Sequence, residues 1–139
     1  MGVMAHGVTH PGPRASNEDA FLIDTAGGVF VVADGMGGHN AGEVAAGLAV
    51  EAIRTFVGDE EQPSAGSLED AVRAANRNIL DTAARRPECA GMGTTVAAAL
   101  VAPTGAILAG VGGSRIYRMR EGRLTQLTKD DSWSAKLLS

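Results

Sequence analysis

Residues 29–43 read Val-Phe-Val-Val-Ala-Asp-Gly-Met-Gly-Gly-His-Asn-Ala-Gly-Glu, and no other stretch restricts the fold as much. The apolar run Val29 to Ala33, mostly β-branched or aromatic, has the pattern of a strand buried on both faces. It stops at Asp34, which places a charge at the lip of a core. Gly35, Gly37 and Gly38 let the backbone turn sharply and approach a ligand closely, and a helix is predicted from Asn40. Asn40 followed by Glu43 has the form of a capping box. Strand, acid, glycine turn and helix is the layout of an ion or phosphate site, although Asp-Gly after a strand also suits a plain turn.

The residues upstream weigh against the plain turn. Arg14-Ala15-Ser16-Asn17-Glu18-Asp19 leads into the apolar Ala20 to Ile23, and Asp24 to Gly28 has turn chemistry before the chain returns as Val29 to Ala33. With the turn centred on Ala26-Gly27, Asp24 faces Val29 and Asp19 faces Asp34. Directly opposed like charges destabilise a sheet, and Glu18 adds a third acid. A hard divalent cation such as Mg²⁺ or Mn²⁺, which takes carboxylate, carbonyl and water oxygens, relieves that repulsion. The competing reading is three solvated acids at the end of a hairpin.

The rest of the chain supplies the frame. Val3 to Thr9 is predicted as a short strand before the breaker His10-Pro11-Gly12-Pro13. In the helix from Asn40, Ala41, Ala45, Leu48, Ala52 and Phe56 form one apolar stripe. Ala46, Val50, Ile53 and Val57 form a second, with Glu43, Gly47, Glu51 and Arg54 opposite. After a loop over 58–66, a second helix opens at Ser67, buries Leu68, Val72, Ala75, Ile79 and Ala83, and ends before Pro87. Thr94 to Val101 and Ala106 to Val111 read as paired strands, and Ser114 to Met119 with Arg123 to Leu127 as another hairpin. Residues 129–139 have a helical look. Two helices between two groups of strands predict a layered α+β domain.

Composition removes several classes of function. Twelve Lys and Arg against sixteen Asp and Glu give a net charge of −4 without a basic cluster, which argues against nucleic-acid binding and membrane-surface binding. One cysteine, Cys89, offers no disulfide framework and fits a reducing compartment as a plain loop or core residue. The visible chain has no signal-peptide pattern and no apolar run long enough to span a membrane, so the expected location is cytoplasmic.

Taken together, five motifs resemble the metal-dependent protein phosphatase family, type 2C, in its bacterial form. They are Arg14-x-x-x-Glu18-Asp19, Asp34-Gly35-Met36-Gly37-Gly38-His39, Gly91-Met92-Gly93-Thr94-Thr95, Gly112-Gly113-Ser114-Arg115-x-Tyr117 and Leu124 to Ser132, in that order. The resemblance implies a four-layer α-β-β-α sandwich with two Mg²⁺ or Mn²⁺ ions at one end. It implies that 1–139 is the N-terminal portion of one phosphatase domain, incomplete at the C-terminus. By the same resemblance Asp34 bridges the ions, the Gly35 carbonyl and Glu18 are ligands, and Asp19 is a ligand through water. Arg14 holds the substrate phosphate, with Gly37, Gly38, His39, Thr94 and Thr95 shaping the site. Met36 stands where many members carry a histidine, and Gly113 lacks the carboxylate expected for a third metal.

The function implied is hydrolysis of phosphoserine and phosphothreonine in proteins, counteracting a Ser/Thr kinase, by attack of a metal-bridging hydroxide. The alternative is a catalytically inactive phosphatase-like fragment that binds a phosphoprotein or a kinase. Strands left uncovered would favour self-association.

Overall fold

The computed structural model describes residues 2–58 and 64–138. In chain order the elements are β1 (Asp19–Asp24), β2 (Val29–Met36), α1 (Ala41–Val57), α2 (Ala65–Arg85), a 3₁₀ turn (Pro87–Cys89), β3 (Gly93–Thr94), β4 (Val96–Ala102), β5 (Gly105–Gly112), β6 (Tyr117–Arg120), β7 (Arg123–Gln126) and β8 (Ser132–Leu138). One antiparallel sheet has the order β1-β2-β4-β5-β8, with β3 extending the pairing along β2. β6 and β7 form a separate ribbon. The α+β class stands, and the described residues supply one helical layer on one main sheet.

The first hairpin adopts the expected register, from Asp24 opposite Val29 to Asp19 opposite Asp34. Its turn explains why. Asp24 Oδ1 accepts the Gly27 N–H at 2.9 Å, and Gly28 takes a φ of 70°, which glycine adopts without strain. The Gly28 carbonyl then accepts the Val101 N–H at 2.7 Å, fixing the turn to β4.

β2 is buried on one face, not two. Val29, Val31 and Ala33 are at most 2% exposed, whereas Val32 is 52% exposed and Phe30 half-buried. On β1, Phe21 and Ile23 lie on the same open side. An unbroken apolar run suits burial on either one face or two, and the covering layer decides between them. Here α1 and α2 cover only the face carrying Val29, Val31, Val96, Ala98, Leu100, Ile107 and Ala109, against which Ala45, Ala49, Ile53, Leu68, Ala71 and Ala75 complete the core. The many alanines bring helices and sheet close together.

The outward row of α1 is as expected, with Glu43, Gly47, Glu51 and Arg54 exposed, but Phe56 is 44% exposed. Asn40 makes no side-chain cap. It lies in the left-handed region at φ 62°, and its carbonyl accepts the Glu43 N–H at 3.2 Å. The tight turn through Gly37 and Gly38 imposes that backbone and takes the side chain out of capping geometry.

The second helix starts earlier than predicted, at Ala65, because the cap is Ser64. Its Oγ accepts the Ser67 N–H at 3.2 Å while Ser67 Oγ accepts the Ser64 N–H at 3.1 Å. The predicted loop over 58–66 is thereby shortened, and its residues 59–63 lie outside the described residues. Ser64→Ala is expected to destabilise the fold by about 1 kcal/mol, read as a lower midpoint in urea with an unchanged slope.

Two further expectations are corrected. Val3 to Thr9 pairs with no strand; it runs alongside β1, so close that a Cβ on Gly7 would press on Phe21 and Ile23. Residues 132–138 are a strand, not a helix, and pair antiparallel with β5 from Ser132 opposite Gly112 to Leu138 opposite Ala106. The alternation of Ser132, Ser134 and Lys136 with Trp133, Ala135 and Leu137 carries that period of two. Cys89 is a buried free thiol, and no helix among the described residues is long and apolar enough to cross a membrane.

Candidate metal centre

The open end of the first hairpin brings four of the predicted residues together. Arg14, Glu18, Asp19 and Asp34 line one pocket of about 180 Å³ with His10, Pro11, Ser16 and Asn17. Asp19 begins β1 where Asp34 nears the end of β2, so register alone sets the carboxylates face to face. The Asp19 carboxyl is raised above its ordinary pKa by desolvation, then by the charge of Asp34 and a hydrogen bond with it; Arg14 opposes the shift. The charge of Asp34 beside it disfavours the ionised form of Asp19, and a cation would offset that charge.

The approach to this pair is tied down from the N-terminal side. Asn17 Oδ1 accepts the Asp19 N–H at 3.0 Å, and Asn17 Nδ2 donates to Thr9 Oγ1 at 2.7 Å. His10 Nδ1 accepts the Gly12 N–H at 2.8 Å, which folds the loop that presents Arg14. Glu18 enters from the backbone first: its carbonyl accepts the Gly35 N–H at 3.1 Å. Its carboxylate rests on the first turn of α1 at Gly42, where a Cβ would overlap Glu18 Oε2. The positive end of the helix dipole stabilises an anion there.

Gly35 and Gly42 pack backbone to backbone. A Cβ on Gly35 would overlap the Gly42 carbonyl and lie 2.8 Å from the Glu18 carbonyl. Gly37 has φ 154° and sits against Ala41 and Met92, while a Cβ on Gly38 would meet open space. Gly38 acts through its carbonyl, which accepts the Ala41 N–H at 3.0 Å. His39, exposed at φ 55°, does not line the acidic pocket. Thr94 pairs with Gly35 in β3, and Thr95 lies opposite Asp34.

Sequence reasoning missed Gly42. The available signal was a glycine in the first turn of a helix, where alanine is intrinsically better. It also missed the bond between Thr95 and Ser114, whose hydroxyl oxygens are 2.6 Å apart.

The donor set suits a hard cation. All the candidate side-chain ligands are carboxylates, and the Asp19–Asp34 opposition is a repulsion that a cation would remove. Among the described residues, no group of three His, Cys, Asp or Glu side chains is gathered tightly enough to hold an ion. The contribution of these residues is therefore the opposed pair, with Glu18 turned toward α1. Gly113 is bare, and Asp131 Oδ1 lies 3.8 Å from where its Cβ would be. Arg115 grips Asp130 with two bonds, Nε to Oδ1 at 2.9 Å and Nη2 to Oδ2 at 2.6 Å, which holds the Asp130 carboxyl below its ordinary pKa.

Comparison with known proteins adds to this geometry. The family model described as protein phosphatase 2C matches residues 6–136. Serine/threonine protein phosphatase PstP of Mycobacterium tuberculosis is 41% identical over 128 residues, which are 90% of this chain and 24% of that protein. Serine/threonine phosphatase stp of Listeria welshimeri is 36% identical over 118 residues, 79% of this chain and 46% of that protein. The chain thus spans from about a quarter to just under half of the length of these relatives. Among solved structures, the catalytic domain of PstP in complex with two manganese ions superposes with a TM-score of 0.80 at 42% identity, covering 86% of this chain and 51% of that one. Stp1 from Staphylococcus aureus gives a TM-score of 0.73 at 33% identity, covering 84% and 49%.

Proposed function

The chain belongs to the protein phosphatase 2C family, and on that premise we propose that the protein hydrolyses phosphoserine and phosphothreonine in other proteins, using Mg²⁺ or Mn²⁺. One observation carries this reading: Asp19 faces Asp34 across β1 and β2, with Glu18 and Arg14 in the same pocket. In this proposal Asp34, Glu18 and the Gly35 carbonyl hold the ions directly, and Asp19 does so through water. When bound, the ions lower the pKa of water and offset charge on the phosphoryl oxygens. Arg14 orients the phosphate, since a planar guanidinium can donate to two of its oxygens at once. The loop built by His10 and Asn17 fixes where that guanidinium starts from.

Substrates made by a Ser/Thr kinase and a cytoplasmic location belong to the same proposal. So does self-association of the 139 residues through the open face of the sheet, which exposes Phe21, Ile23 and Val32. The test is phosphate release from a phosphothreonine peptide by the full-length protein. Release is expected with Mn²⁺, absent in EDTA and restored by adding Mn²⁺ back. Release that persists in EDTA, or none from folded protein with either metal, would overturn the reading.

A further inference from the structure

Asp34 lies at a fault in the sheet. The β2–β4 register runs from Val29 opposite Leu100 to Val32 opposite Ala97, and the β2–β3 register resumes with Gly35 opposite Thr94. Continuing either count puts Asp34 opposite Thr95, the one residue between β3 and β4. In an undisturbed antiparallel ladder, such a hydrogen-bonded pair exchanges two N–H···O=C bonds. Half of that exchange is present: the Thr95 N–H donates to the Asp34 carbonyl at 2.9 Å. The other half is altered, because the Asp34 N–H donates to Thr95 Oγ1, at 3.1 Å, in place of the Thr95 carbonyl. That displaced carbonyl accepts the Thr94 hydroxyl at 2.8 Å.

The Thr95 hydroxyl is also paired on its other side. Ser114 Oγ lies 2.6 Å away, on the segment between β5 and β6. A hydroxyl has one proton and accepting lone pairs. Thr95 Oγ1 can therefore accept from Asp34 N–H and still share a proton with Ser114. Just beyond, the bidentate Arg115–Asp130 pair braces the segment, and a Cβ on Gly112 would come within 2.9 Å of Thr95 Cγ2. The backbone of the central carboxylate is thus held by a side chain that is itself held from a distant segment.

We propose that Thr95 and Ser114 are positioning residues for Asp34: the Thr95 hydroxyl replaces its own carbonyl in the ladder, and Ser114 orients that hydroxyl. This sets where the Asp34 carboxylate stands relative to Asp19 and couples the metal lip to the Gly112–Arg115 segment. The proposal rests on the metal-site reading above. Without the hydroxyl, the ladder either closes through the Thr95 carbonyl, turning the strand end, or leaves the Asp34 N–H without its partner.

The test measures Mn²⁺ binding calorimetrically on the full-length protein, with apo stability in EDTA measured alongside. Thr95→Val keeps the branched shape and removes the hydroxyl; it is expected to weaken Mn²⁺ binding about 10-fold or more, in the range seen when ligand-orienting groups are lost. Thr95→Ser restores the hydroxyl and is expected to stay within about 3-fold of wild type, a smaller loss than that range. Ser114→Ala should weaken binding by itself, and Thr95→Val/Ser114→Ala should be no weaker than Thr95→Val, since Ser114 acts only through Thr95. Unchanged Mn²⁺ affinity in Thr95→Val, or equal losses in Thr95→Val and Thr95→Ser, overturns the proposal. Should Thr95→Val fail to fold, unchanged affinity in Ser114→Ala overturns it. Asp34→Asn separates the two levels: if that variant also binds Mn²⁺ normally, the metal-site reading itself has failed.

Discussion

Asp34→Asn in the full-length protein should reduce Mn²⁺-dependent phosphate release about 1,000-fold, or roughly 4 kcal/mol of transition-state stabilisation. It should also make the metal-free protein slightly more stable. Both signs follow from one geometry. The carboxamide fills the same space and leaves the Asp34 backbone bonds to Thr95 intact, but it carries no charge with which to hold a divalent cation. Removing that charge also ends the repulsion with Asp19, which lies directly opposite in register. Relief of one opposed like-charge pair at a strand end is worth about 0.2–1 kcal/mol. Activity measured with Mn²⁺ and urea unfolding measured in EDTA read the two effects separately. An active variant would show that Asp34 does not hold the ions, and one clearly less stable than wild type in EDTA would show that its carboxylate supports the fold.

That opposition was legible from the sequence because the turn between Asp24 and Val29 sets the register of the hairpin. Asp24, Gly27 and Gly28 allow one compact reversal, and a slip of one residue would send Val29 and Val31 to the wrong face. The same logic failed at the other side of the sheet. An apolar run such as Val29 to Ala33 says that some of its residues are covered, but the cover comes from outside the strand, from α1 and α2, so the exposure of Val32 could not be read from the run itself. Asn40 failed for a related reason. Capping statistics assume an ordinary approach to the helix, and the glycine turn before Ala41 imposes a left-handed backbone instead. For 132–138 the alternation was present but short, and pairing with the edge of β5 determined its form. Of the site, the acids and Arg14 were readable as motifs. The hydroxyl that replaces a ladder carbonyl at Thr95 was not, because it depends on a strand register between residues 61 positions apart.

Two glycines of one helix provide the other large effect, with opposite signs. Alanine is favoured over glycine inside a helix by about 1 kcal/mol, and local propensity therefore recommends both Gly42→Ala and Gly47→Ala. At Gly47 nothing lies within 4 Å of a new Cβ and the position faces solvent, so the propensity gain should appear in full as a stabilisation of about 0.5–1 kcal/mol. At Gly42 the new Cβ would overlap Glu18 Oε2 and stand 2.7 Å from both Gly35 C and Met36 N. The carboxylate can swing away; the backbone atoms cannot, because Gly35 is pinned by its N–H to the Glu18 carbonyl and by its pairing with Thr94. Either α1 must withdraw from β2, uncovering Ala41 and Ala45, or the Asp34–Gly35 end of the strand must shift. Gly42→Ala is accordingly expected to destabilise by about 3 kcal/mol, at the upper end for overpacking, and to weaken Mn²⁺ binding, since Glu18 and Gly35 move together. Urea midpoints of the two variants measured side by side decide the matter. If Gly42→Ala is as stable as Gly47→Ala, the close contact between the helix start and the strand end is not what sets the place of Glu18 and Gly35.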